Sequence, residues 1–541
     1  MGHIGTRSTG NALAPEPAGL PARHICTLPG RGGYDCCQLP CEIRHIHRRK
    51  TDVSKPYSLS QPLRLDAVQQ WDIETEVAVI GFGIAGACAA IEAHEAGARV
   101  TVFELAGASG GSAALSGGEF YLGGNGGTPI QNAAGFEDST EDFYNYLMMA
   151  GGPNADEARV RCYADGARAH FDWLVAQGIP FKGTYYPEKC LEPTTDDTLV
   201  WSGSENAWPF SSRARPAPRG HTAQLVGMGA GRLIMQKLTD RANALGISAH
   251  FNARALALVA DADNRVHGLV MRIDGKEQTV RATKGVILCT GGFICNENMV
   301  RHYAPEAQRC PNPTTGGNDH GAGILMGASV GGATIHMGEF FATRPMFPPP
   351  QLLEGVLINS LGQRFINEDA YHGRVTHYMM RQPEDRCWLL VDNKIFARPW
   401  VFQDIEISAA GESWEEVEGE LGLPSGELVH TLDNYNRHAA SGEDPLWHKT
   451  PQFLRPLTEP PFAALNFSGD AVRGTSFTLG GLSTLPTGEV LTPDNRVIEG
   501  LYAAGRTACG IPRWGEGYSS GMSLGDSSFF GRQAGRHAAT H

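Results

Sequence analysis

The sequence has no apolar run near the roughly 18 residues that a membrane-crossing helix requires. Its most apolar stretches, around Val77 and Val286, are short and bounded by glycine, so no membrane span is expected. It also lacks an excess of positive charge. Its 45 Lys and Arg stand against 58 Asp and Glu, a formal net charge of -13, which disfavours a nucleic-acid partner and says nothing about fold. The spacing of the 12 cysteines does not read as a disulfide framework. Most are single and in apolar surroundings, as Cys88, Cys289 and Cys387 are, which fits buried thiols in a reducing, cytoplasmic compartment. Cys26, Cys36, Cys37 and Cys41 lie close together but lack two separated C-x-x-C pairs, so no metal site is expected. Residues 1–70 have few large aliphatic side chains, and neither helical nor alternating periodicity. They read as a disordered extension without the apolar centre of a signal peptide, with order beginning at Trp71.

What is present is a globular composition: 541 residues, 41% hydrophobic and 19% charged, enough for two or three packed units. Glu76–Ile80 is a β-rich apolar run that meets Gly81 at once. Ala85–Ala96 then reads as a helix of small residues, and Arg99–Glu104 as the next strand. Together they make a βαβ unit. A second glycine-rich stretch, Gly107–Gly127, is followed by helical patterns around Glu141–Met149 and Asp156–Gln177. Gly285–Gly292 and Gly500–Gly505 repeat the strand-into-glycine pattern, so three strand ends are expected to approach one ligand. The stretch 333–465 differs, with prolines at Pro348–Pro350, acidic helical segments around Glu412–Glu420 and no strand ending in paired glycines. The expected organisation is an α/β dinucleotide-binding domain in two parts, 71–332 and 466–541, interrupted by an inserted domain at 333–465.

Gly81, Gly83 and Gly86 have the spacing that permits a tight turn, a close approach of backbone to a pyrophosphate, and close packing of helix on strand. The helix N-terminus then offers unpaired N–H groups and partial positive charge to the phosphates. Glu104, at the end of the second strand, is placed to accept hydrogen bonds from ribose hydroxyls. Ser109-Gly110-Gly111-Ser112 and Ser116-Gly117-Gly118 supply further backbone donors, and Gly505-Arg506 returns from far away in sequence. These distant contacts favour FAD over the shorter NAD.

These motifs, with Thr290-Gly291-Gly292-Phe293, Asn359–Glu368 and Leu501–Gly505, make residues 71–541 resemble the flavoprotein superfamily of fumarate reductases and 3-ketosteroid dehydrogenases. The resemblance implies a Rossmann-like FAD-binding domain interrupted by an α+β catalytic cap. Fumarate reductases need arginines and histidines to grip a dicarboxylate. Here Ser476–Gly481 replaces their usual histidine and threonine before Gly-Gly, and the closing loop is Gly517-Tyr518-Ser519-Ser520-Gly521. That loop, with Asn367–Tyr371 and Ser528–Arg532, is similar to the 3-ketosteroid dehydrogenases that introduce the Δ4 bond into 5α-saturated steroids. The implied partners are a steroid substrate and an unidentified electron acceptor. A Δ1-dehydrogenase or ene-one reductase, a dicarboxylate reductase, and a flavin-binding protein without turnover stay open as alternatives.

By the same resemblance Tyr518 donates to the substrate's 3-keto oxygen, with a backbone N–H near Gly521, while Ser520 and Tyr371 form the proton-accepting pair. Polarising the ketone acidifies the adjacent C–H, and flavin takes a hydride from the next carbon. A tyrosine with an ordinary pKa near 10 is a poor base at neutral pH and needs a neighbour or solvent path to pass the proton on. Read from the residues alone, Tyr371 also fits a packed surface position and Ser520 a helix cap. The implied FAD contacts are Gly81, Gly83, Ala85, Gly86, Glu104, Ser109, Gly111, Ser112, Ser116, Gly117, Gly118, Gly291, Asp319, Gly505, Ser523 and Leu524. Arg364 is expected to pair with Glu368 at i and i+4 rather than hold substrate. His221 reads as a satisfied polar residue. No histidine or cysteine is assigned a covalent flavin link, so FAD is expected to be dissociable.

Overall fold

The computed structural model describes residues 61–541. Strand Ile73–Ile80 begins half-exposed and ends in four buried residues, Val77–Ile80. Its buried half is flanked on both sides, by Val100–Phe103 and by Lys276–Leu288, each in parallel register. A strand covered on both faces has to be apolar without alternation. These three belong to a sheet that also contains Ala253–Ala260, Val266–Ile273, Ser248–His250 and Val497–Ala503. Ile80 pairs with Leu288 and Leu288 with Ala503, so the three strands finish at one level. Gly81, Cys289–Gly291 and Ala504–Gly505 therefore emerge side by side.

Helix Ile84–Glu95 is built largely of small residues because another helix lies directly on it. A Cβ on Gly531 or Gly535, in the C-terminal helix Met522–Thr540, would come within 2.5 and 2.2 Å of the backbone oxygens of Ala85 and Ala89. Arg532 and Arg536 both pair with the buried Glu92 and clamp the two helices together. This packing carries Tyr518 and Ser520, just ahead of the C-terminal helix, to the first strand's end.

Strands Val356–Asn359, Cys387–Val391, Phe462–Asn466 and Ile407–Gly411 form a separate antiparallel sheet, with its own core of residues such as Leu357, Trp388, Leu390 and Leu465. Helices Trp414–Leu421 and Glu427–Ala439 contribute Val417, Leu428 and Leu432 to that core. Within it Arg364 is buried against Glu368 at 2.7 Å and Asp444 at 2.8 Å, and Lys449 reaches Glu368 at 3.2 Å. Residues 333–343 behave differently from the rest of 333–465. Thr334–Ile335 pairs with Gly481–Leu482, and Phe340–Thr343 with Thr475–Thr478, so this stretch is stitched to the segment that returns to the large sheet.

Order begins earlier than Trp71, which corrects the reading of 1–70 as disordered throughout. Leu63–Arg64 adds to the sheet edge beside Val259–Ala260, and the Arg64 guanidinium donates to the carbonyl of Asp261 at 2.7 Å. An edge strand held by backbone and one long side chain needs no aliphatic periodicity, so the pattern did not reveal it. Cys26, Cys36, Cys37 and Cys41 lie outside the described residues. Among the described residues, no cluster of three or more His, Cys, Asp or Glu side chains is placed to hold a metal, and no helix is long and apolar enough to cross a membrane.

Candidate active site

A cavity of about 1270 Å³ opens at the three strand ends. At one end its wall is backbone. Gly81 has φ +103°, and a Cβ there would lie 2.3 Å from the carbonyl oxygen of Cys289, so only glycine lets neighbouring strand ends come this close. Helix Ile84–Glu95 has no side-chain cap at Gly83, which leaves its first-turn N–H groups directed to the cavity. The Gly110 N–H donates to the Phe82 carbonyl at 2.9 Å and seats the second glycine loop against the first. The Ser112 hydroxyl accepts from the Gly316 N–H at 3.2 Å, which adds a third loop to the cradle. Both Glu104 oxygens accept backbone N–H groups, from Phe82 at 2.6 Å and Ala106 at 2.8 Å. A carboxylate has about four acceptor sites, so two remain for hydroxyls.

The other end of the cavity is built from side chains. Tyr371 and Ser520 share a hydrogen bond of 2.8 Å between their hydroxyl oxygens, although 149 residues separate them. Tyr518 donates to the Ser523 hydroxyl at 3.1 Å. Its ring lies 4.6 Å from Phe341 and 6.3 Å from Tyr371, and Phe477 meets it edge-on at 5.5 Å. Burial pushes the Tyr518 phenol up to about 12, with Ser523 pulling the other way. Burial also holds Tyr371 well above the ordinary tyrosine range, and the neighbouring Tyr518 adds to the effect. Both phenols therefore remain protonated donors at neutral pH. His372, its ring 4.0 Å from that of Tyr371 and tilted by 41°, is lowered to about 3 by burial and stays neutral.

The structure brings nearly all the sequence-predicted residues to this one cavity. Tyr371, Tyr518, Ser520 and Gly521 line it, as do Gly81, Gly83, Ala85, Glu104, Ser109, Gly111, Ser112, Ser116, Gly117, Gly118, Gly291, Asp319, Gly505, Ser523 and Leu524. Gly86 does not reach the wall. A Cβ on Gly86 would sit 1.9 Å from the Gly81 carbonyl oxygen, so this glycine serves helix packing. Ser109 spends its hydroxyl on Thr239 at 2.9 Å. Tyr371 is buried, and Ser520 caps no helix: Gly521, at φ +91°, occupies the N-cap of the C-terminal helix. The His221 ring is satisfied by Thr128 at 2.7 Å and the Arg219 carbonyl at 2.9 Å, away from the cavity wall.

Sequence reasoning missed Thr314–Gly316, Phe341, His372, Glu119 and Glu192, all of which line the cavity. Gly316-Gly317 was the only local signal for the first of these. Phe341 and Phe477, 136 residues apart in sequence, face each other through a strand pair, which no local pattern announces.

The residues present fit a dinucleotide with a planar redox-active ring at its far end, and comparison with known proteins names the class. A model of the FAD binding domain matches residues 76–520, and the chain belongs to that family, with FAD as its cofactor. The crystal structure of a 3-ketosteroid-Δ4-(5α)-dehydrogenase from Rhodococcus jostii RHA1, in complex with 4-androstene-3,17-dione, superposes with a TM-score of 0.84 at 40% identity, covering 89% of this chain and all of that one. The 3-oxo-5-alpha-steroid 4-dehydrogenase of Comamonas testosteroni is 27% identical over 81% of this chain and 93% of its own length. A cytochrome-type fumarate reductase of Shewanella frigidimarina is 26% identical over 86% and 77%, respectively.

Proposed function

We propose that the chain is an FAD-dependent 3-oxosteroid 4-dehydrogenase, oxidising 5α-saturated 3-ketosteroids to Δ4-3-ketosteroids. The observation that carries this reading is the Tyr371–Ser520 hydroxyl pair beside Tyr518, inside an aromatic wall at the end of a dinucleotide cradle. The glycine loops, Glu104 and the first turn of helix Ile84–Glu95 would hold FAD, which when bound supplies the hydride acceptor. Tyr518, protonated throughout the physiological range, donates to the 3-keto oxygen together with the Gly521 amide. For this the Tyr518 O–H turns from the Ser523 hydroxyl, to which it donates at 3.1 Å, and charge then developing on the keto oxygen is stabilised by the phenol and the amide. Polarisation acidifies the C4–H bond, and the Ser520–Tyr371 pair receives the proton. Phe341 and Phe477 exclude water and offer flat apolar surface to a fused-ring substrate.

A dicarboxylate reading lacks support at these three hydroxyls, because their neighbours are aromatic and the adjacent His372 is neutral. FAD is read as non-covalent. Cys289, in the cavity wall, is a weak nucleophile because burial pushes its thiol up to about 12. The eight described cysteines are all unpaired, which supports a reducing, cytoplasmic setting. The test is anaerobic mixing of the yellow protein with a 5α-saturated 3-ketosteroid and, separately, with its Δ4 counterpart. Bleaching by the saturated steroid alone, with Δ4 product, is the expected outcome. Bleaching only by the Δ4 steroid points to Δ1 chemistry.

A further inference from the structure

Ser520 and Tyr371 cannot by themselves be the destination of a proton. Both are neutral hydroxyls, and a hydroxyl that accepts a proton from C4–H has to release its own to something more basic. Tyr371 is held far from ionisation by burial, so a tyrosinate does not fill that role. Strand Glu119–Tyr121 runs directly beneath the closing loop. The Tyr121 N–H donates to the Gly521 carbonyl at 3.0 Å, and a Cβ on Gly521 would lie 3.3 Å from the backbone carbon of Glu119. Glu119 is buried, lines the main cavity, and also lines a small side chamber together with Ser520, Tyr371 and Ser202. Glu192, half-buried, lines the same main cavity and reaches over Gly117, where a Cβ would meet its Oε1 at 2.5 Å.

We propose that Glu119 is the base that draws the substrate proton away from the steroid, receiving it through Ser520 and Tyr371 and passing it by way of Glu192 to solvent. The inference rests on the steroid-dehydrogenase reading above. The balance closes. The C4–H bond breaks, its electron pair forms the C4–C5 double bond, and the hydride leaving C5 would be taken up by the acceptor that bound FAD supplies. Each hydroxyl gains one proton and gives up another, and the Glu119 carboxylate becomes a carboxylic acid until Glu192 takes the proton on.

The surroundings suit this task. Burial raises the Glu119 carboxyl well above the usual carboxylate range, the charge of Glu192 raises it further, the Ser520 hydroxyl lowers it, and Glu205 adds to the rise. Burial likewise raises Glu192. A carboxyl whose affinity for a proton is raised is, in its ionised form, a stronger acceptor than an ordinary carboxylate, and it is the loss of that ionised form that would slow the reaction at acid pH. The remaining titratable neighbours do not compete for the proton. Cys190 is pushed far up by burial, Lys189 donates to the Asp369 carbonyl, and His372 titrates near 3. Glu119 acts through Ser520 rather than on the steroid, so its signature belongs in the pH profile and not in substrate binding.

The experiment measures the rate of flavin reduction by a 5α-saturated 3-ketosteroid across pH in wild-type holoenzyme, Glu119→Gln and Glu119→Asp. Wild type should lose rate on the acid side through a single ionisation. Glu119→Gln should be slower by about a hundredfold at neutral pH with that acid limb absent, and Glu119→Asp should restore a limb. Flavin content and the spectral change on binding the Δ4 product should stay unchanged. A Glu119→Gln enzyme with the wild-type rate and limb overturns the inference and leaves the steroid reading standing. A wild type that the saturated steroid does not bleach overturns both. Should Glu119→Gln fail to hold flavin, the wild-type profile decides: a flat acid side overturns the inference, and a limb that Glu192→Gln shifts supports it.

Discussion

The two ends of the cavity are made of different material. The cradle is backbone: strand ends, glycine turns and a helix N-terminus, each encoded within a few consecutive residues. The reaction end is side chains, with Tyr371, Ser520, Tyr518, Phe341 and Phe477 arriving from four separate segments. A binding cradle made of backbone tolerates change only in what surrounds it, whereas a cluster of side chains is changed one atom at a time. The first should fail all at once and the second by degrees.

The largest expected effect is at the cradle. Gly81→Val places a branched side chain where a single Cβ already overlaps the Cys289 carbonyl at 2.3 Å, and the protein should purify colourless, as its absorbance near the flavin bands will show. At the other end, Tyr518→Phe should lower turnover about ten- to a thousandfold, the scale of one lost oxyanion donor, while the protein stays yellow; an unchanged rate would remove Tyr518 from the mechanism. If either variant gave the other's phenotype, the division between the two ends would be wrong.

A third test lies in the antiparallel domain, outside both ends. Burial alone would raise the Glu368 carboxyl, but the charges of Arg364 and Lys449 outweigh it and leave Glu368 below 4.5. The stability it contributes is therefore present above the unfolded value and lost as pH falls through the lower folded value. Arg364→Met should destabilise that domain by about 3–5 kcal/mol by leaving buried charge unpaired, read as a lower urea midpoint with the steroid KM unchanged. The smallest effect is expected at Glu104→Ala. It weakens FAD retention by about ten- to a hundredfold through lost hydrogen bonds to a charged acceptor, with kcat unchanged at saturating FAD. Full flavin occupancy after long dialysis would show that the carboxylate serves only the Phe82 and Ala106 amides.

The boundary between legible and illegible follows the same division. The strand at Val77–Ile80, the helix of small residues after Gly83, and the meeting of three glycine-ended strands could be read because each is a short local pattern with a strict steric cause. The pairing of Arg364 with Glu368 was expected from their i and i+4 spacing, but the segment is not helical: Arg364 bridges to Ile358 and the following turn brings Glu368 back to it. Leu63–Arg64 was not, since an edge strand draws on its neighbour's backbone rather than on its own hydrophobicity. Glu119 carried no signal beyond following a glycine pair. Its importance comes from lying under Gly521, about 400 residues away in the chain.

By itself, then, the sequence determined that this protein is an α/β flavoprotein and where its strands end in glycine turns, because backbone conformation depends on adjacent residues. The tertiary structure alone decided that Gly86 lies off the cavity wall, that Ser520 faces Tyr371 rather than capping a helix, and that a buried carboxylate lies beside them. Those outcomes depend on which distant surfaces are pressed together, and burial then sets how each side chain holds its proton.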